Sequence, residues 1–226
     1  QIGSLVTSNG KGWQMNISRR IEEVTDTALL DNGFEYALLD GDGTRHYFTL
    51  ASDGSGKYLD ETGLGMKLTV NSTVVNNIKY VLEYKDGSVD KFSVKNSANY
   101  TRLLESEDPL EHKISYGYDA NNKYLISITD GSGRVTNIVN NASGLIQTIT
   151  YDNKTTTMTY DNGKLDRITY FDNTYVDFDY DSSERLIKVT NFNGIALSYT
   201  YTENPTYAFE ANRVAKTCEY SGTTAG

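Results

Sequence analysis

From residue 112 onward the chain repeats itself about every 21 residues, and no other feature restricts its folding so much. One set of anchors, mostly tyrosine, is Tyr118, Val139, Tyr160, Tyr180 and Tyr201, spaced 21, 21, 20 and 21 apart. A second set is leucine: Leu125, Leu145, Leu165 and Leu186, spaced 20, 20 and 21. Three residues after each leucine stand Ile128, Thr148, Ile168 and Val189. Leu104 lies 21 residues before Leu125 and extends the register upstream.

Each unit follows one pattern. An alternating run ends in an aromatic pair, as in Tyr116-Gly117-Tyr118 or Phe178-Asp179-Tyr180. A polar turn follows, such as Asp161-Asn162-Gly163, and a leucine opens a second alternating run. A second turn, such as Asp130-Gly131-Ser132-Gly133, closes the unit. Asp, Asn and Gly supply positive φ and local side-chain hydrogen bonds at such turns. Period-two alternation with Tyr, Thr, Ile and Val predicts strand. Two strands and two turns fill about 20 residues, so each unit is a β-hairpin. A hairpin cannot bury a face alone, and the units must stack into a continuous antiparallel meander.

The first hundred residues read the same way. Phe34, Tyr36 and Leu38 alternate before Asp40-Gly41-Asp42-Gly43 turns the chain into Arg45–Leu50. Tyr80, Leu82 and Tyr84 alternate before Asp86-Gly87, and Asp-Gly between alternating runs is a strong hairpin signal. Residues 98–108 are expected to hold one helical turn, ended by Pro109, and Pro205 predicts a loop or edge. The divisions expected are an N-terminal β-rich region over 1–97, the repeat array over 98–203, and a partial further repeat or tail over 204–226. The absence of an initiator Met suggests a piece of something longer.

These residues resemble the Rhs, or YD-repeat, family. Tyr118-Asp119, Tyr160-Asp161 and Tyr180-Asp181 match its name-giving dipeptide, and Val139-Asn140 and Tyr201-Thr202 are degenerate copies. Gly10-Lys11-Gly12-Trp13 resembles the Gly-x-Gly-Trp segment that often precedes such arrays. The resemblance is clear over about residues 98–203. It implies a sheet spiralling into a hollow shell that often encloses a C-terminal toxin, in a secreted or cell-surface bacterial protein. Members that release a toxin carry a self-cleaving Asp-Pro motif among glycines at the end of the core. Asp108-Pro109 lacks the glycines and precedes most repeats, so it reads as an ordinary turn.

The fold class expected is therefore all-β: an antiparallel meander of YD-repeat hairpins forming a curved, open, shell-like sheet. The structural repeat positions are Tyr118, Asp119, Leu125, Leu145, Tyr160, Asp161, Leu165, Tyr180, Asp181, Leu186 and Tyr201. Trp13 is expected to anchor the first strands.

Chemistry is sparse. Net charge is −9, without a basic stripe, which disfavours nucleic acid and anionic membrane surfaces. No apolar run approaches the roughly 20 residues needed to span a bilayer. Cys218 is the one cysteine and, far in sequence from His46 and His112, reads as a small hydrophobe. Counted from Asp40, a calcium loop would need Gly at position 45 and Glu at position 51, where Arg45 and Ala51 stand. The cluster Glu105, Glu107, Asp108 and Glu111 is expected to be exposed. No catalytic residues, metal ligands or cofactor are assigned, and the chain is expected not to be an enzyme. The partners expected are the remainder of a longer chain, with further repeats and a toxin cargo. The alternative function is an adhesin-like surface that binds a cell-surface glycan or protein, with Tyr rings stacking on sugar faces.

Overall fold

The computed structural model describes residues 6–7, 10–202 and 214–221. Among them strands take 54% of the chain and helix 3%. Eighteen strands form one antiparallel sheet that is not closed into a barrel. Its first strand is Arg20–Glu23 and its last is Val214–Ser221. Each strand pairs with its neighbours in the chain, so the order in space is the order in sequence. The ladder continues without a break from the first hundred residues into the array, where Leu103 pairs with Phe92. Pro205 lies outside the described residues, as do 203–213 and 222–226 of the C-terminal part.

The sheet curls because every unit carries the same defect. Gly117 faces Ser127 but Tyr118 faces Leu125, which leaves Ile126 as an extra residue on the second strand. Thr159 faces Arg167 while Tyr160 faces Leu165, and Asp179 faces Lys188 while Tyr180 faces Leu186. Such β-bulges bend a strand and increase its twist. One bulge at the same end of each hairpin bends the sheet in one sense throughout. The bulge also explains the three-residue Leu-x-x-Ile spacing, which a strict two-residue period forbids. With one residue extra, Leu125 and Ile128 both turn toward the core.

The curl lets distant strands share one core. Ile21, Phe48, Leu82, Phe92, Leu103 and Ile146 belong to a single buried cluster. The segment Gly10–Arg19 runs over this inner face as a strap. Met15 and Ile17 pack on the cluster. At one end the Lys11 N–H donates to the Gly163 carbonyl at 2.8 Å. At the other, the Ile21 N–H and carbonyl both bond the buried hydroxyl of Thr101, at 2.8 and 3.0 Å.

Two expectations change here. Residues 98–108 form no helical turn: Leu103–Glu107 is a strand paired on both sides. The one helix among the described residues is Thr27–Asp31, where the Asp26 carboxylate accepts from Ala28 and Leu29 N–H groups. The ladder on either side supplies more hydrogen bonds than a single helical turn would. Glu105 and Glu107 are half-buried rather than exposed, because Lys91 bridges both at 3.1 and 2.7 Å and Lys113 adds contacts at 3.3 Å.

Candidate functional site

The repeated tyrosines act at the bulged end of each hairpin. The Tyr118 hydroxyl donates to the Leu103 carbonyl at 2.9 Å, two strands' ends away from its own turn. Tyr160 donates to Ile146 at 2.7 Å, Tyr180 to Leu165 at 2.9 Å and Tyr201 to Leu186 at 2.6 Å. Each tyrosine thus clamps a carbonyl at the start of the preceding unit's second strand. Burial raises the pKa of all four, that of Tyr160 to about 12.

The clamp fixes the register, and it corrects one unit. Asn140, not Val139, occupies the tyrosine position: its Nδ2 donates to the Leu125 carbonyl at 2.9 Å, and it pairs with Ile146 beyond the bulge. Ile146 and Leu103 therefore take the places expected for Leu145 and Leu104, and Ile149 that expected for Thr148. Leu145 is buried all the same. The cause is turn length: residues 140–146 hold a turn one residue out of step with Asp161-Asn162-Gly163, and the repeat signal averages over both.

The aspartates organise the turns beside the clamps. One carboxylate oxygen of Asp119 accepts from the Lys123 and Tyr124 N–H groups, and one of Asp181 from Ser183 and Arg185. Asn141 does the same for Ser143 and Leu145. Burial pushes the Asp119 carboxyl up, but the backbone N–H groups outweigh it and hold it below the usual carboxylate range. Asp161 makes no such bonds, since its turn needs only Asn162 and Gly163, both at positive φ. Asp108 behaves like the others, accepting from Leu110 and His112 N–H groups at 2.8 and 2.9 Å.

Trp13 is not an anchor for the first strands. Its ring meets Phe178 edge-on at 5.1 Å, and its Nε1–H donates to the Tyr180 hydroxyl at 2.8 Å. A few residues away, Lys11 pairs with Glu184 at 2.8 Å. Gly10 has φ +93°, and a Cβ there would lie 2.9 Å from the Gly163 oxygen, so only glycine lets the strap meet this turn. The Gly-x-Gly-Trp segment is therefore a tether from one end of the chain to its late repeats, a long-range contact that local pattern does not reveal. At the far end Arg19 donates to the buried carboxylate of Asp90 at 2.7 Å and to the Tyr84 hydroxyl at 2.9 Å.

The strap leaves two cavities. One of about 440 Å³ lies between residues 14–20 and the turns around Tyr100, Tyr124 and Gly144. Another of about 450 Å³ lies beside Asp90, His112 and Lys113. In the second, Asp90 is already bonded by Arg19, Tyr84 and Ser106, and the His112 ring pairs with Asp108 at 2.8 Å on the surface. Cys218 lies on the last strand, half-buried, far from both histidines in the sheet order. No group of three His, Cys, Asp or Glu side chains able to hold a metal occurs among the described residues.

No family model and no curated protein matches the chain. Among solved structures, the crystal structure of TcdB2-TccC3 aligns with 93% of this chain and 12% of its own, at 11% identity and a TM-score of 0.41. The Photorhabdus luminescens Tc holotoxin pore aligns with 88% and 13%, at 11% identity and 0.40. The TcdB2-TccC3-Cdc42 structure aligns with 83% and 11%, again at 11% identity and 0.40. The chain spans no more than 13% of the length of these three chains.

Proposed function

We propose that this chain is a structural segment of a secreted or cell-surface bacterial protein of the Rhs, or YD-repeat, type. Its sheet forms part of a β-shell whose interior holds a C-terminal toxin. The observation that carries this reading is the bulge and clamp repeated in unit after unit, from Tyr118 to Tyr201. A device that bends the sheet by the same sense in every unit builds a wall. The chain's partners on this reading are its own further repeats and the enclosed tail. The clamps use the tyrosine hydroxyls and the turns use the carboxylates, so the repeated polar groups serve the wall rather than catalysis.

The test is protection of the tail in the full-length protein. A protease should cut the segment beyond the repeats far more slowly in the intact protein than in the isolated tail. Digestion of both at one rate would overturn the shell reading. On the same reading the pure protein has no hydrolase or transferase activity. Turnover of a glycan or ester, abolished by one carboxylate or serine substitution, would refute that.

A further inference from the structure

The cavity between the strap and the repeat turns has a charge opposite to that of the protein. The chain carries 21 basic and 30 acidic residues, yet this cavity is lined by Arg19, Arg20, Arg102 and Lys123 and by no Asp or Glu. Two of these cations are already neutralised: Arg19 by Asp90 at 2.7 Å and Arg20 by Glu22 at 2.7 Å. Arg102 and Lys123 have no carboxylate within ion-pair distance among the described residues. The Arg102 guanidinium reaches only the carbonyls of Asn122 and Lys123, at 3.3 and 3.0 Å. That leaves three of its five N–H groups for another acceptor. Burial without a paired anion lowers its pKa from the usual arginine value. The nearest acidic turn residue, Asp119, is committed to the backbone N–H groups of Lys123 and Tyr124.

The other lining groups are aromatic. Tyr100 is partly exposed and lies under Arg20 at 4.5 Å and near Arg102 at 5.9 Å. Tyr124 lies under the Lys123 ammonium at 4.6 Å. Gly144 abuts that ring: a Cβ there would come within 2.4 Å of the Tyr124 hydroxyl oxygen, so the glycine leaves room for the ring at the cavity wall. A volume of about 440 Å³ falls within the ordinary range of small-molecule sites, about 300–1,000 Å³. A planar guanidinium fork and an ammonium lining one cavity select a carboxylate, and tyrosine faces with polar tips select a ring that is apolar on one side and hydroxylated on the other.

We propose that this cavity binds a sugar acid, with its carboxylate on Arg102 and Lys123 and its ring against Tyr100 and Tyr124. The site goes beyond a shell role and stands on its own, since a wall segment needs no ligand. Glucuronic acid is the probe, titrated into the intact chain by calorimetry and by proton NMR saturation transfer. Saturable binding in the millimolar range is expected. Glucose, which lacks the carboxylate, and acetate, which lacks the ring, should each bind at least tenfold more weakly. Lys123→Gln, at an exposed turn residue, should weaken glucuronic acid at least tenfold while the fluorescence of Trp13 stays unchanged. Arg102→Gln should do the same, and Arg102→Lys should recover part of the loss. Glucose or acetate binding as tightly as glucuronic acid would overturn the proposal, the first by removing the charge and the second by removing the ring. So would an absence of saturable binding at tens of millimolar, or a Lys123→Gln variant that binds as well as the parent.

Discussion

Tyr180→Phe tests how the strap holds the curl. The hydroxyl that is lost does two things at once: it donates to the Leu165 carbonyl at 2.9 Å and accepts from the Trp13 Nε1–H at 2.8 Å. Tyr160 is the natural control, because its hydroxyl clamps the Ile146 carbonyl at 2.7 Å and, although its ring lies beside Gly10, it accepts no hydrogen bond from the strap. A buried polar group left without its partner costs about 1–3 kcal/mol. Ile146 and Leu165 are both buried, so each substitution should cost about 1 kcal/mol through the carbonyl. Tyr180→Phe also removes the hydroxyl that accepts from the half-buried indole N–H beside Phe178, and its total should reach about 2 kcal/mol. Trp13 is the one tryptophan, so its fluorescence reports the strap while circular dichroism reports the sheet. In urea, both signals should change together in the parent chain and in Tyr160→Phe. In Tyr180→Phe the fluorescence transition should move to lower urea than the dichroism. Equal losses in the two variants, with coincident transitions, would mean that the strap contributes nothing to the fold, and the reasoning would fail.

Other perturbations probe the units. Leu165→Ala removes a buried side chain and should cost about 2–5 kcal/mol, whereas Lys164→Ala removes only a cation 5.4 Å above the Tyr180 ring and should cost no more than about 1 kcal/mol. Hydrogen exchange in Leu165→Ala should rise at Tyr160 and Tyr180 before it rises near Tyr36; uniform exchange would refute nearest-neighbour stacking. Tyr160 titrates near 12 in the fold and near 10.0 in the unfolded chain, so its contribution is complete below pH 10 and is lost as pH rises through 12. Stability should therefore fall steeply in that window and less steeply in Tyr160→Phe, as alkaline unfolding curves would show. Asp119→Ala and Asp181→Ala leave turn N–H groups without their acceptor, and each should lower the melting temperature, while Asp161→Ala should leave it nearly unchanged; equal effects would argue against the turn role.

The repeat made the architecture legible. Twenty-residue units with Asp-Asn-Gly turns left few alternatives to a meander, and the sheet order follows the chain. The bulge was present in the sequence as well, in the three residues between Leu125 and Ile128, but its meaning emerges only when strands are paired. The slip at Val139 has a physical cause too. Asn140 replaces the tyrosine with a shorter side chain that makes the same bond to Leu125, so chemistry is kept while the letter changes. Leu103–Glu107 misled because a polar, acidic run stopped by a proline looks like a short helical turn, whereas Lys91 and Lys113 on the adjoining strands pair with those charges. The cavity over Tyr100 and Arg102 was invisible because its walls come from the strap and from three different turns, which no local window spans.

The tether from Trp13 to Tyr180 also sets a timetable. The two residues are 167 apart, and a ribosome adds roughly 5–20 residues per second. The strap therefore leaves the ribosome on the order of 10–30 seconds before its partner exists. During that interval the Trp13 ring lacks the Phe178 and Tyr180 side chains that it meets in the fold, and the late hairpins must pair with no strap yet docked across them. Slowing synthesis between the two sites lengthens that exposure, which makes the newborn chain, rather than the finished sheet, the stage at which a chaperone has most to hold.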